Sequence, residues 1–428
     1  MTRDGPAAAE FRVSGHRPAL RAGLAVAVAL VLTGCGGVVG QPGGGAGDTT
    51  VGADLVGSLS AEDAATAADG VNAFGFDLHT AVAEDGDNTV TSPLSASVLL
   101  AMVAAGAGGD NAEEMVELLG LDGPRDTRYA ALLADLVGAD DVTLAIANSL
   151  WAAEGYPLED DYVSFAQATY GATLDEVDLG SQDAADAIDD WVDERTEGLI
   201  DEIAADLGLP DPQAVLVLLN TVYFLGTWTT AFDEDDTRET PFALAGGDEV
   251  MVPAMHRLGA EVETSFGDGF QMLRLPYGDD ERFGMEVLLP DEDVALDELL
   301  DDLDAEVWRN AVDALETATF SEIALPRFEL EWDANLNEVL QSLGMVSAFG
   351  GGDFTPMSPA DPFLDTVVQK TYIQVDEQGT EAAAVTGGAM RSSAGPPPFR
   401  VDRPFAFTVS DRETGAVLFL GSVHDPRG

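Results

Sequence analysis

Apolar and polar positions change their spacing about halfway along the chain. Ala64–Val82 and Ser92–Ala104 repeat apolar residues at helical intervals. From Val215 onward short apolar runs take over: Val215–Phe224, Phe283–Leu289, Ile323–Leu330, Val367–Val375 and Val417–Val423, each of a length suited to a buried strand. Helices in the first half and strands in the second, without regular alternation, argue for an α+β fold over a doubly wound parallel sheet. No repeat at a solenoid period is present. The acidic stretches Asp233–Asp248 and Val294–Ala305 are expected on connections or solvent-facing helix surfaces.

Two stretches stand outside this pattern. Near the N-terminus, Arg12, Arg17 and Arg21 precede an apolar run, Ala22–Leu32, of signal-peptide length and too short to span a bilayer comfortably. It ends in Leu32-Thr33-Gly34-Cys35, which resembles the bacterial lipobox, in which the cysteine is lipidated and becomes the new N-terminus. Cys35 is the only cysteine of the chain, so no internal disulfide can form. The expected organisation is a signal peptide over 1–34, a lipid-anchored glycine-rich linker over 35–60 and one domain over 61–428. The mature protein would then sit on the outer face of the cell membrane, held only by its lipid.

Composition sharpens the picture by exclusion. A chain of 428 residues with 46% hydrophobic residues has ample core, but its formal net charge is −59 and Lys370 is its only lysine. Such a field repels nucleic acid and anionic membrane, and it suits a solvated coat in a salty, halophilic setting. No H-E-x-x-H, histidine cluster or paired cysteine offers a zinc site, and no EF-hand spacing offers a calcium site. There is no G-x-S-x-G elbow, and Gly106-Ala107-Gly108-Gly109 lacks the Lys-Ser/Thr of a phosphate loop. No enzyme constellation, metal or cofactor is expected.

The second stretch is Asp376–Phe399, long for a connection without structure of its own. Small residues dominate it and proline is absent until Pro396. Every second residue from Thr380, through Ala382, Ala384, Thr386, Gly388 and Met390 to Ser392, is uncharged, while Glu381 and Arg391 fall on the other face. Such a segment is fit to become a central strand, because one face is free of charge and every N–H is available to a ladder. The bland alternative is a floppy Ala/Gly linker between two strands.

Over about Ala61 to the end, the chain resembles a serpin. The blocks that carry the resemblance occur in order: Asn88 to Ser95, Asn148-Ser149-Leu150-Trp151, Ile188 to Val192, Asn220 to Trp228 with Phe232, Leu325-Pro326-Arg327-Phe328, the hinge Glu377 to Thr386, and Asp402 to Phe405 with Leu418 to Gly421. The resemblance implies three β-sheets, eight or nine helices and an exposed reactive loop. It implies a monomeric suicide-substrate inhibitor of serine, or cysteine, endopeptidases. The protease cuts the loop, and the loop then inserts into the large sheet before the acyl-enzyme can hydrolyse.

Residue by residue, the resemblance makes Glu377, Gly379, Thr380, Ala382, Ala383, Ala384 and Thr386 the hinge. Ser92, Ser95 and Asn220 match the shutter that lets the sheet open, with Gln369 where the family usually has histidine. Trp228 matches the breach where insertion begins, and Arg327 is placed to pair with Glu377. The family's spacing from Glu377 and from Phe405 both arrive at Ser393, giving Ser393–Ala394 as the scissile bond and an elastase-like or subtilisin-like target. Arg391 and Met390 are rival reactive residues, suited to trypsin-like and chymotrypsin-like proteases. Competing readings are a non-inhibitory serpin acting as a binding or chaperone-like lipoprotein, and an acidic surface lipoprotein with an adhesive or cation-sequestering role.

Overall fold

The computed structural model describes residues 24–33, 51–137, 142–378 and 396–428. Three sheets and ten α-helical segments make up the described residues, and only the first segment, Ala53–Val56, is as short as four residues. The α+β fold with three sheets therefore stands.

The central sheet has six strands, in the order Phe328–Asn335, Phe363–Val375, Leu24–Thr33, Ala214–Leu225, Thr143–Ala153 and Thr173–Val177. Its pairs are antiparallel except the last, where Thr143–Ala153 and Thr173–Val177 run parallel. A seven-stranded sheet is built around Phe270–Tyr277, Phe283–Pro290, Phe405–Asp411 and Val417–Val423. A four-stranded sheet joins Phe399–Arg400, Glu322–Pro326, Glu249–Leu258 and Arg238–Ala243.

Local chemistry sets the helices that support the central sheet. Helix Ala61–Val82 starts in a capping box, with the Ser60 side chain accepting from Asp63 N and the Asp63 carboxylate accepting from Ser60 N. Helix Pro93–Ala104 has Ser92 as its N-cap and proline at its first position. Its twelve residues are all buried, as a helix apolar on every side must be. It runs beneath the central sheet against both Ala214–Leu225 and Val417–Val423. Gly75 lets the two helices close up: a Cβ there would lie 2.3 Å from Pro93 Cβ. On the opposite face of the sheet, helix Gln182–Arg195 packs Ala185, Ile188 and Val192 over Val217, Leu219 and Tyr223.

Two elements differ from the expectations. The apolar run Ile323–Leu330 is not one strand but two, Glu322–Pro326 in the small sheet and Phe328–Asn335 in the central sheet. Pro326 cannot extend the ladder, and Arg327 N turns aside to Pro253 O at 2.9 Å. Leu24–Thr33, within the expected leader, is a strand in the middle of the central sheet. The chain is also packed before residue 61, since Val51 and Leu59 lie against the core and Gly52 N bonds Ala168 O. No helix among the described residues is long and apolar enough to cross a membrane.

Candidate functional site

The shutter is built where strand Ala214–Leu225, apolar almost throughout, places Asn220 over the start of helix Pro93–Ala104. Asn220 is fully buried. Its Oδ1 accepts from the Ser95 hydroxyl, and its Nδ2 donates to Asn148 Oδ1 at 2.7 Å. Asn148 in turn donates to Tyr170 O at 2.8 Å. On the other side of strand Leu24–Thr33, Gln369 donates from Nε2 to Ser92 O at 3.1 Å and accepts from Ser92 N at 3.4 Å. The Ser92 hydroxyl donates to Leu418 O at 2.6 Å, tying the helix start to the seven-stranded sheet. Asn220 and Gln369 thus flank Leu24–Thr33, level with Val28, and both reach the start of helix Pro93–Ala104, Asn220 through Ser95 and Gln369 through Ser92.

The breach lies where Ala214–Leu225 and Phe363–Val375 end. Trp228, nearly buried, stacks on Tyr277 with ring centroids 4.3 Å apart, and its indole N–H donates to Asp376 O at 2.9 Å. Its backbone N–H donates to Gln378 O at 3.0 Å, and Phe232 N donates to Glu377 O at 2.8 Å. Three donors from one turn therefore hold the backbone of 376–378. The Glu377 carboxylate is buried; it accepts from Thr237 Oγ1 at 2.5 Å and faces Arg327 Nε at 3.5 Å. Gln378 Nε2 donates to Glu234 Oε1 at 3.0 Å. Burial raises the pKa of Asp376 above the usual carboxylate range, and the charges of Glu377 and Glu234 add to the shift.

Past the loop, the chain is anchored again. Phe399 is buried and pairs in parallel with Ile323, and Ser321 N donates to Pro397 O at 3.0 Å. Arg400 grips the Glu322 carboxylate with Nε at 2.9 Å and Nη2 at 2.6 Å, while Arg238 and His256 meet its other oxygen at 2.7 and 3.0 Å. Burial, with Arg238 beside it, holds the His256 imidazole below its ordinary pKa. Desolvation alone would raise the Glu322 pKa, but the hydrogen bonds and charges of Arg400, His256 and Arg238 together outweigh it and hold the carboxyl below its ordinary value.

The structure thus brings Ser92, Ser95, Asn220 and Gln369 together at the middle of the sheet, and Trp228, Arg327 and Glu377 together at its end. Gly379, Thr380, Ala382, Ala383, Ala384, Thr386, Met390, Arg391, Ser393, Ala394 and Cys35 lie outside the described residues. Sequence reasoning missed Asn148, Tyr277, Thr237 and the Glu322 cluster as parts of the site. It also missed the strand Leu24–Thr33, whose signal was there: alanines at 25, 27 and 29 alternate with Leu or Val.

Comparisons with known proteins agree with this geometry. A family model described as Serpin (serine protease inhibitor) matches residues 69–426. Serpin-Z10 of Arabidopsis thaliana is 34% identical over 364 residues, covering 81% of this chain and 94% of that protein. A serpin-like protein of Thermococcus kodakarensis is 36% identical over 370 residues, covering 83% of this chain and 85% of its own length. The thermophilic serpin tengpin in its native state superposes with a TM-score of 0.71 at 25% identity, over 89% of this chain and 96% of that one. Thyroxine-binding globulin in complex with thyroxine has the same fold, with a TM-score of 0.74 at 23% identity over 84% of this chain and 99% of that one. With the family model running through shutter, breach and hinge, the chain belongs to the serpin family.

Proposed function

We propose that this serpin is an inhibitory one: a suicide substrate that traps serine endopeptidases through its loop at 379–395. The observation that carries the reading is the place in the central sheet between Ala214–Leu225 and Phe363–Val375, which accommodates a ten-residue strand antiparallel to both. The loop leaves from the end of Phe363–Val375, so its return through that place would follow the same direction. Its hinge is free of proline, and its alternate residues from Thr380 are uncharged.

In the proposed reaction the hydroxyl of the protease serine adds to the carbonyl carbon of Ser393. The Ser393–Ala394 bond breaks, the Ala394 amine departs with a proton, and an ester joins Ser393 to the protease. Insertion of Thr380 onward then outruns hydrolysis of that ester and carries the enzyme along the sheet. The small Ser393 side chain suits elastase-like or subtilisin-like pockets. The same reading has residues 1–34 removed, Cys35 lipidated, and the monomer tethered to the outer face of the membrane.

The test is to incubate the chain from residue 35 with subtilisin, elastase and trypsin, then to run denaturing gels and weigh the released C-terminal peptide. A detergent-resistant complex and a peptide beginning at Ala394 are expected. Cleavage without a complex for every protease sinks the inhibitory reading in favour of a binding role. A peptide beginning at Ser392 or Arg391 moves the reactive bond to Arg391 or Met390.

A further inference from the structure

Strand Leu24–Thr33 occupies a position that the proposed inhibitory cycle leaves no room for. It pairs over all ten of its residues with both neighbours, from Leu24, level with Phe224 and Ile373, to Thr33, level with Ala214 and Phe363. It therefore enters at the end where Trp228 and Glu377 sit and runs antiparallel to Phe363–Val375. A loop turning back after Gln378 would take the same end, the same direction and the same ladder. A backbone N–H or C=O engaged by one strand is not free for another, so the two occupants exclude each other.

The sequence explains the fit. Leu-Ala-Val-Ala-Val-Ala-Leu-Val-Leu-Thr contains no charge, glycine or proline, and its first six residues alternate a branched apolar residue with alanine. That is a strand's period, not a helix's. Ala27 is fully buried, level with Thr221 and Lys370, in the cluster that Val192 and Ile188 form with Leu219, Tyr223 and Val368. A small residue is what the space beneath helix Gln182–Arg195 takes, and the loop offers the same kind at Ala382, Ala384 and their neighbours. Midway, at Val28, the strand passes between Asn220 and Gln369.

We infer that Leu24–Thr33 is an intramolecular plug. While residues 1–34 are attached, the central sheet is already complete, and the protein is cut in its loop without trapping the protease. Their removal opens the place and arms the inhibitor. This rests on the inhibitory reading above and adds its regulation: a chain that folds before its leader is removed is inert toward proteases where it is made.

The experiment compares the full chain with the chain from residue 35, both carrying Cys35→Ser and both made without export, each incubated with subtilisin. The full chain is expected to form at least tenfold less detergent-resistant complex than the shorter one, and to melt at a higher temperature. Ala27→Glu in the full chain, which places a charge at a buried position, should restore trapping. A synthetic peptide of residues 24–33 with a charged solubilising tail should abolish trapping by the shorter chain and raise its melting temperature. Equal complex yields from the two chains overturn the plug while leaving the inhibitory reading intact. If neither chain traps any protease, the inhibitory reading falls, and the plug is judged by melting: equal temperatures overturn it, and a higher one for the full chain retains it.

Discussion

Asn220→Ala tests how the shutter holds the sheet. The amide is fully buried and serves two buried partners, accepting from the Ser95 hydroxyl and donating to Asn148 Oδ1 at 2.7 Å. Alanine leaves both partners without their bond, in a region closed to water. A buried polar group left unpaired costs about 1–3 kcal/mol, so two of them cost about 2–6 kcal/mol before any cavity is counted. Urea unfolding followed by tryptophan fluorescence, with the slope unchanged, reads this as a shift in midpoint. Asn220→Asp keeps the shape but buries a carboxylate whose oxygen faces Asn148 Oδ1, so it should cost at least as much as alanine. A loss below about 0.5 kcal/mol for Asn220→Ala, within the range of an ordinary surface substitution, would refute the reasoning.

Three further predictions concern the loop, the central sheet and a buried histidine. Thr380→Arg places a charge on the face of the segment that the proposed insertion would bury, at a cost of several kcal/mol, so the variant should be cleaved by subtilisin without a complex; a complex at wild-type yield refutes this. Lys370→Ala removes a bond to Asp206 at 2.6 Å and another to Glu202 O at 3.0 Å, which tie the segment after helix Gln182–Arg195 to the sheet. The pair is partly exposed, so stability should drop by only about 1 kcal/mol, with faster amide exchange in residues 199–207 as the readout. His79 is fully buried, and desolvation lowers its pKa to about 3 from 6.5. The unfolded chain therefore binds the extra proton between these values. Stability contributed by this group is complete above pH 6.5 and falls as pH drops, by up to about 1.4 kcal/mol per unit. His79→Leu should flatten that part of the stability profile, and an unchanged slope contradicts the assignment.

Much of the architecture was legible because single elements announce themselves. Val417–Val423 and Ala214–Leu225 are largely apolar runs, and Pro93–Ala104 is apolar on every side, with Ser92 before it and proline at its first position. Glu377, Trp228 and Arg327 could be placed because the resemblance to serpins assigns them, in blocks that stand at the ends of such runs. What escaped depends on pairings between distant segments. Glu322 meets Arg238, His256 and Arg400 only because the four strands of the small sheet lie side by side. Asn148 reaches Asn220 only across the register of two central strands. The run Ile323–Leu330 read as one strand because apolar residues do not say to which sheet they belong. Leu24–Thr33 was the hardest case: an apolar leader and a central strand can share one composition, and only the alternation with alanine signals the strand.

The central claim is that the loop enters the sheet between Ala214–Leu225 and Phe363–Val375. Melting the chain from residue 35 before and after a protease cuts its loop tests that claim most directly. Completion of the sheet predicts a large upward shift in melting temperature on cleavage. A cut chain that melts at the temperature of the intact one, or below it, contradicts the claim.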